Sequence, residues 1–294
     1  MVTILLGALG LFGVWYLVQF FRTLKEEEWS FDRFGHLTVV GFVTNFFDTL
    51  GIGSFAPTTT WFRTASLVKD RIIPGTLNVG HTAPVIIMAF IFIGSVEVEP
   101  VTLFSMLGAA VLGSYFGADI VSSFSEKKIQ LGMGIALLVT AVFMLLGQVD
   151  LMPAGGEALG LSGISLVIAV VANFVLGALM TLGIGLYAPC MALVYALGLS
   201  PRVAFPIMMG SCAFLMPPAS VKFLKNKAVD YKAALGLALG GIPAVFVATY
   251  LVVSLPLNVL TWLVIGVITF TGFSLFKDGL ANTGRKKEVE TEAA

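Results

Sequence analysis

The chain has 294 residues, 57% apolar and 12% charged, with a mean hydropathy of +0.97. Soluble domains carry about 25% charged residues, so this chain cannot clothe itself in a water-compatible surface and reads as an integral membrane protein. A formal net charge of zero removes the case for nucleic-acid binding, and the composition excludes disorder, collagen-like repeats and a disulfide scaffold.

Charged or Pro/Gly breaks cut the chain into apolar pieces at 2–21, 37–67, 72–94, 101–124, 129–149, 162–198, 203–221, 231–254 and 257–276. A membrane span needs about 20 mostly apolar residues. The first piece has no basic flank before it; Arg22 and Lys25 follow it, and no Ala-x-Ala pattern comes after. It is therefore expected to be a retained helix rather than a removable signal. The charged, aromatic stretch 25–34 reads as interfacial, and the tail 277–294 is polar. This organisation predicts an extra N-terminal unit at 1–36, a first half at 37–150, a second at 151–276 and the tail.

Two pieces, 37–67 and 162–198, are too long for one simple span and carry Gly and Pro at their middle. Residues 49–57 read TLGIGSFAP and residues 181–189 read TLGIGLYAP, identical at seven of nine positions and offset by 132 residues. Pro74 and Pro206 keep the same offset. The halves are copies of one another.

Their loops carry inverted charge. The loop before Pro100 has acids and no base, whereas its mate has Lys222, Lys225 and Lys227. Lys127 and Lys128 answer to an uncharged stretch near Ser254, and Asp150 and Glu157 answer to Lys277, Arg285, Lys286 and Lys287. Under the positive-inside rule the halves face opposite ways, the plan of many secondary transporters. The same rule returns each long piece to the face it left, as a re-entrant hairpin with arms of about 13 residues. The predicted fold is all-α, with seven full spans and two hairpins; eight to nine spans with broken helices is the alternative. The N-terminus is placed outside and the C-terminus in the cytoplasm of a cell (inner) membrane.

At each tip, Gly51 with Gly53, and Gly183 with Gly185, supply backbone freedom. Pro57 and Pro189 suit the first turn of a restarting helix. Irregular backbone at membrane depth is tolerated where it is buried in protein or lines a polar cavity. Each restarting helix points free N–H groups at that cavity, a geometry for a small anion. Kinks that only aid packing are the alternative.

This duplicated Gly-rich, Pro-terminated element resembles the sulfite exporter TauE/SafE family, also called the toluene sulfonate uptake permeases. So do the stretch 107–146, with its SEKKIQ turn, and SPRVAFP at 200–206. The resemblance covers roughly 37–276 and implies duplicated membrane halves that export or take up sulfite, sulfonates or related anions. The N-terminal span and the charged 25–34 segment are departures from that pattern.

Several polar residues fall at membrane depth. Asp48, whose repeat mate is Met180, is the candidate for proton or sodium coupling, with an ion pair to Arg63 or a helix cap as the plainer readings. Candidates to line a substrate site are Asn45, Thr49, Gly51, Gly53, Ser54, Thr58, Asn78, His81, Asn173, Thr181, Gly183, Gly185, Cys190 and Ser211. For each, helix packing or an ordinary core hydrogen bond is the alternative. Cys190 and Cys212 show no CxxC or zinc-ligand spacing. Ala109, Gly113 and Gly117, and Gly236, Gly240 and Ala244, recur at a spacing of four and predict close helix crossings within the chain.

No P-loop, HExxH or other catalytic constellation is present, so no enzyme activity, cofactor or metal is expected. The sequence reads as a secondary transporter, in the exporting direction, of a small anion such as sulfite or a sulfonate, working by alternating access. An anion channel of the same architecture is the second reading. The expected partners are the anion, the bilayer and the coupling ion; a homo-oligomer is compatible with this reading.

Overall fold

The computed structural model describes residues 2–24, 32–93, 97–152, 155–183, 185–251, 262, 265, 266 and 268–281. Most of the interfacial segment 25–34, the loop residues 94–96, the uncharged stretch near Ser254, the Arg202 side chain and the basic tail 285–287 lie outside the described residues, as does Ile184.

The described chain is helical, and its elements follow the apolar pieces closely: α1 (Val2–Leu24), α2 (Phe34–Thr49), α3 (Phe55–Thr64), a 3-10 turn (Asp70–Ile72), α4 (Ile73–Phe92), α5 (Pro100–Ser122), α6 (Glu126–Gln148), α7 (Gly163–Met180), α8 (Tyr187–Ala196), α9 (Pro201–Lys225) and α10 (Tyr231–Leu251). A last helical run occupies 268–281. Among the described residues there is no strand; one isolated bridge pairs Ala158 with Leu199. Among the described residues seven helices, α1, α4, α5, α6, α7, α9 and α10, are long and apolar enough to cross a membrane. The expected span 257–276 lies partly outside the described residues; the six other expected full spans are in this set. α7 enters it with 18 residues, about 27 Å at the α-helical rise. The anticipated equal arms are in fact unequal: 16 and 10 residues in α2 and α3, 18 and 10 in α7 and α8.

The breaks between the arms follow from the repeated motif. Gly51 and Gly53 sit at φ 93° and 91°, and Gly183 at 105°, a left-handed region where a side chain is strained. After each break the chain returns to where its first arm began. In the first half the Trp61 indole N–H donates to His36 at 2.9 Å, and the Arg33 guanidinium reaches Ser66 O at 3.5 Å. In the second, Gly156 N–H donates to Leu199 O at 3.0 Å and Ser200 N–H to Ala158 O at 2.8 Å.

The main helix pairings correspond between the two halves. α4 and α9, the helices that carry Pro74 and Pro206, pack against each other at the centre and are the most buried of the seven. α2 packs on α10, and α7 on α5; α10 also touches α4, and α5 touches α9. Exchanging α2 with α7, α4 with α9 and α5 with α10 maps α2–α10 onto α7–α5 and α4–α10 onto α9–α5, and leaves α4–α9 unchanged.

The small-residue stripes make these contacts close. A Cβ on Gly113 would run into Phe174 O, one on Gly117 into Ala178, one on Gly240 into Thr38 O, and one on Gly236 into Leu37. α1 lies outside the repeat and leans on α4 and α9. There Tyr16 donates its hydroxyl proton to Val79 O at 2.7 Å, and Phe12 stacks edge-on against Phe214.

Glu99 closes the entry to α5. Its carboxylate accepts from Val101 N–H (3.0 Å), Thr102 N–H (2.7 Å) and the Thr102 hydroxyl (2.7 Å). Its own N–H donates to Leu159 O at 2.8 Å, which ties the loop before α7 to the start of α5. The Thr102 amide, then the Thr102 hydroxyl and the Val101 amide, hold the Glu99 carboxyl below its ordinary pKa, as hydrogen bonds to a charged form do.

Candidate functional site

A cavity of about 250 Å³ opens where the two broken elements meet. The first break gives it Asp48, Leu50, Gly51, Ile52, Gly53, Ser54 and Phe55. The second gives Met180, Gly185, Leu186 and Tyr187. α6 supplies the opposite wall through Thr140, Phe143, Met144, Gly147 and Gln148. Met152, Met191, Val85 and Cys212 complete the lining. α3 and α8 both begin here, with Ser54, Phe55, Leu186 and Tyr187 in the lining.

The two halves contribute unlike chemistry. Asp48 and Ser54 stand where the second half has Met180 and Leu186. Asp48 is 3% exposed, and the groups facing its carboxylate are the hydroxyl and amide of Ser54 at the start of α3. It is not paired with Arg63. That guanidinium points to the far end of α3 and bonds Asp70 at 3.1 Å and Asp278 at 2.6 Å. Among the described residues lining the cavity, Asp48 is the one carboxylic acid; the rest is aliphatic, thioether, thiol, aromatic, hydroxyl, amide or glycine. Cys212 donates to Met180 Sδ at 3.7 Å.

Of the residues expected to line a site, Gly51, Gly53, Ser54 and Gly185 reach this cavity together with Asp48. The others lie elsewhere. Thr49 and Thr181 are turned back onto their own helices, donating to Asn45 O at 2.8 Å and Ala178 O at 2.6 Å. A hydroxyl in an apolar setting satisfies itself this way when no other acceptor is near.

Thr58, Asn45 and His81 form a buried chain behind the break. His81 Nδ1 lies 3.0 Å from Asn45 Oδ1, and His81 Nε2 lies 3.1 Å from Thr58 Oγ1. Asn45 Nδ2 donates to Gly41 O at 2.7 Å. That leaves Asn45 Oδ1 as the acceptor and gives the His81 proton to Nδ1.

Asn173 bonds Met106 O and the Ser211 hydroxyl at 2.7 and 3.0 Å, bridging α7 to α5 and α9. Asn78 donates to Pro74 O at 2.9 Å. Gly183 packs beside Met133, and Cys190 is fully buried. These residues sit outside the cavity lining.

The α6 wall and the methionines were not anticipated. α6 carries an ordinary span pattern with no repeated motif to single it out. Among the described residues no cluster of His, Cys, Asp and Glu could hold a metal ion.

No curated protein and no solved structure matches the chain. The segment from the start of α7 through the C-terminal tail, residues 165–293, matches the model of the family described as Sulfite exporter TauE/SafE, a family of membrane transporters.

Proposed function

We propose that this protein is a secondary transporter, working as an exporter, of a small sulfur oxyanion or related organic anion. The site is the cavity at the paired breaks. The observation that carries the reading is the convergence of two helix starts, α3 and α8, on one small cavity through the two copies of a nine-residue motif. Backbone amides there solvate an anion without a fixed positive charge. The family match over 165–293 supplies the substrate class.

Three features support an inverted repeat of re-entrant hairpins. The loop charges invert between halves. Each second arm ends beside the start of its first, at His36–Trp61 and at Ala158–Ser200. The helix pairings exchange under the repeat. Two helix starts then approach the bilayer interior from opposite faces, which suits alternating access.

Asp48 gives the coupling. An anion and an ionised Asp48 repel each other inside one 250 Å³ cavity. The anion is therefore accommodated together with a proton on Asp48, and the two cross together. The test is sulfite uptake into proteoliposomes with and without an imposed pH gradient. Saturable uptake that follows the gradient in wild type, and loses its gradient dependence in Asp48→Asn, is the expected result. Gradient-driven flux that survives intact in Asp48→Asn overturns the coupling role.

A further inference from the structure

The cavity lies between α6 and α8, and the repeat places its counterpart between the last helical run, 268–281, and α3. The offset of 132 residues holds here as well, pairing Gly134 with Gly266 and Gly147 with Gly279. The two crevices are held differently. The cavity opens between α6 and α8, with Gln148, Met144 and Met191 in its lining.

Between 268–281 and α3, Arg63 crosses the gap. Its Nε donates to Asp70 Oδ1 at 3.1 Å, its Nη2 to Asp278 Oδ2 at 2.6 Å and its Nη1 to Ser274 Oγ at 3.3 Å. Gln130 on α6 donates to the other oxygen of Asp70 at 3.1 Å. One guanidinium thereby ties α3, the 3-10 turn and the last helix together, and the turn's aspartate ties in α6.

Asp70 corresponds to Arg202, whose side chain lies outside the described residues; the other three positions carry no such tie in the open crevice. Arg63, Ser274 and Asp278 correspond to Tyr195, Val142 and Leu146. The Tyr195 hydroxyl donates to Met191 Sδ on its own helix at 3.4 Å. Beyond the Arg63 cluster a second, larger hollow opens, rimmed by Arg63, Lys69, Asp70, Arg71, Glu126, Lys227 and Lys232. α3 stands between the two, with its first residue in the cavity and its last basic residue at the hollow.

We propose that Arg63, Asp70 and Asp278, braced by Gln130 and Ser274, are the gate on the lysine-bearing face, and that this structure is the state open to the opposite face. Opening that gate while the α6–α8 crevice closes exchanges the two halves' conformations and carries the site from one face to the other. Arg63 is the pivot because its three ties converge on one planar fork, a geometry a lysine cannot supply. Asp278 is the tie that releases most readily: its side chain is 46% exposed, against 14% for Asp70. This inference rests on the transporter reading, but its test needs no substrate.

The experiment is thiol labelling from each face. In a chain with Cys190→Ala and Cys212→Ala, single cysteines are placed at Met191→Cys and at its repeat mate Thr59→Cys. A charged, membrane-impermeant methanethiosulfonate is then applied to sealed vesicles of either orientation. With the gate intact, Met191→Cys labels from the face opposite the lysine loops and Thr59→Cys is protected.

Adding Asp278→Asn raises labelling of Thr59→Cys from the lysine-bearing face by about threefold to tenfold and lowers that of Met191→Cys, the shift expected from losing one ion pair that biases two states. Asp278→Glu restores the protection. Arg63→Gln acts in the same direction and more strongly. Should Arg63→Gln fail to fold, Asp278→Asn carries the test on its own. Unchanged labelling of Thr59→Cys in folded Asp278→Asn overturns the gate. A labelling switch in a protein that moves no sulfur oxyanion upholds the gate and overturns the substrate reading.

Discussion

His81 is held at both ring nitrogens in a fully buried position, by Asn45 on α2 and Thr58 on α3. The Thr58 hydroxyl has one proton and two acceptors in reach, His81 Nε2 and Ser54 O at 2.8 Å. Replacing Thr58 with the isosteric Val leaves a buried imidazole nitrogen unpaired, at a cost of about 1–3 kcal/mol. Thr58→Val is therefore expected to lower the melting temperature in detergent while leaving the substrate KM unchanged. A shifted KM at unchanged melting temperature would place Thr58 in the site instead.

Glu99 makes a pH prediction outside the spans. Its folded pKa is lowered, so its contribution to stability is present above the unfolded value and is lost as pH falls through the folded one. The stability gap between wild type and Glu99→Gln should narrow on acidification through the carboxylate range; a gap that widens would contradict the capping role. Sequence marks such polar residues as unusual in an apolar chain, and that much is legible. It does not show which way they face: Asn45, Thr58 and Asn173 have partners 23 to 67 residues away, and only packing reveals those.

At the scale of helices, the crossings α5–α7 and α2–α10 depend on Gly113, Gly177, Gly236 and Gly240, where an added Cβ meets neighbouring backbone or a tightly held side chain. Gly108, in the same helix as Gly113, has open space around it. Gly113→Ala should destabilise by about 1–3 kcal/mol through overpacking, whereas Gly108→Ala should be neutral or slightly stabilising. Thermal unfolding of the two variants side by side checks this, and equal losses would contradict the close crossing.

The helix boundaries and both breaks could be read from the sequence because apolar length, Gly and Pro act locally. The unequal arms could not: where a helix stops relative to a Gly-rich turn depends on what the turn packs against. α7 runs to Met180 because Gly113 and Gly117 of α5 accept its backbone closely. Nor could the α6 wall be read, since α6 faces the cavity only through the tertiary arrangement.

For the whole molecule, the repeat accounts for the cavity at the two breaks, whose described lining holds a single acid, Asp48. Two copies of a broken element bring their helix starts together, and the departures from symmetry, Asp48 for Met180 and Arg63 for Tyr195, fall at the proposed site and at the proposed gate. A duplicated chain can tolerate such departures where each face of the membrane needs different chemistry.

The most direct measurement of the central claim is trans-stimulation: labelled sulfite efflux from proteoliposomes with and without unlabelled sulfite on the far side. Alternating access through one cavity predicts saturable efflux that far-side sulfite accelerates, because a loaded site returns faster than an empty one. Efflux that rises linearly with concentration and ignores far-side sulfite would contradict that account and identify a channel.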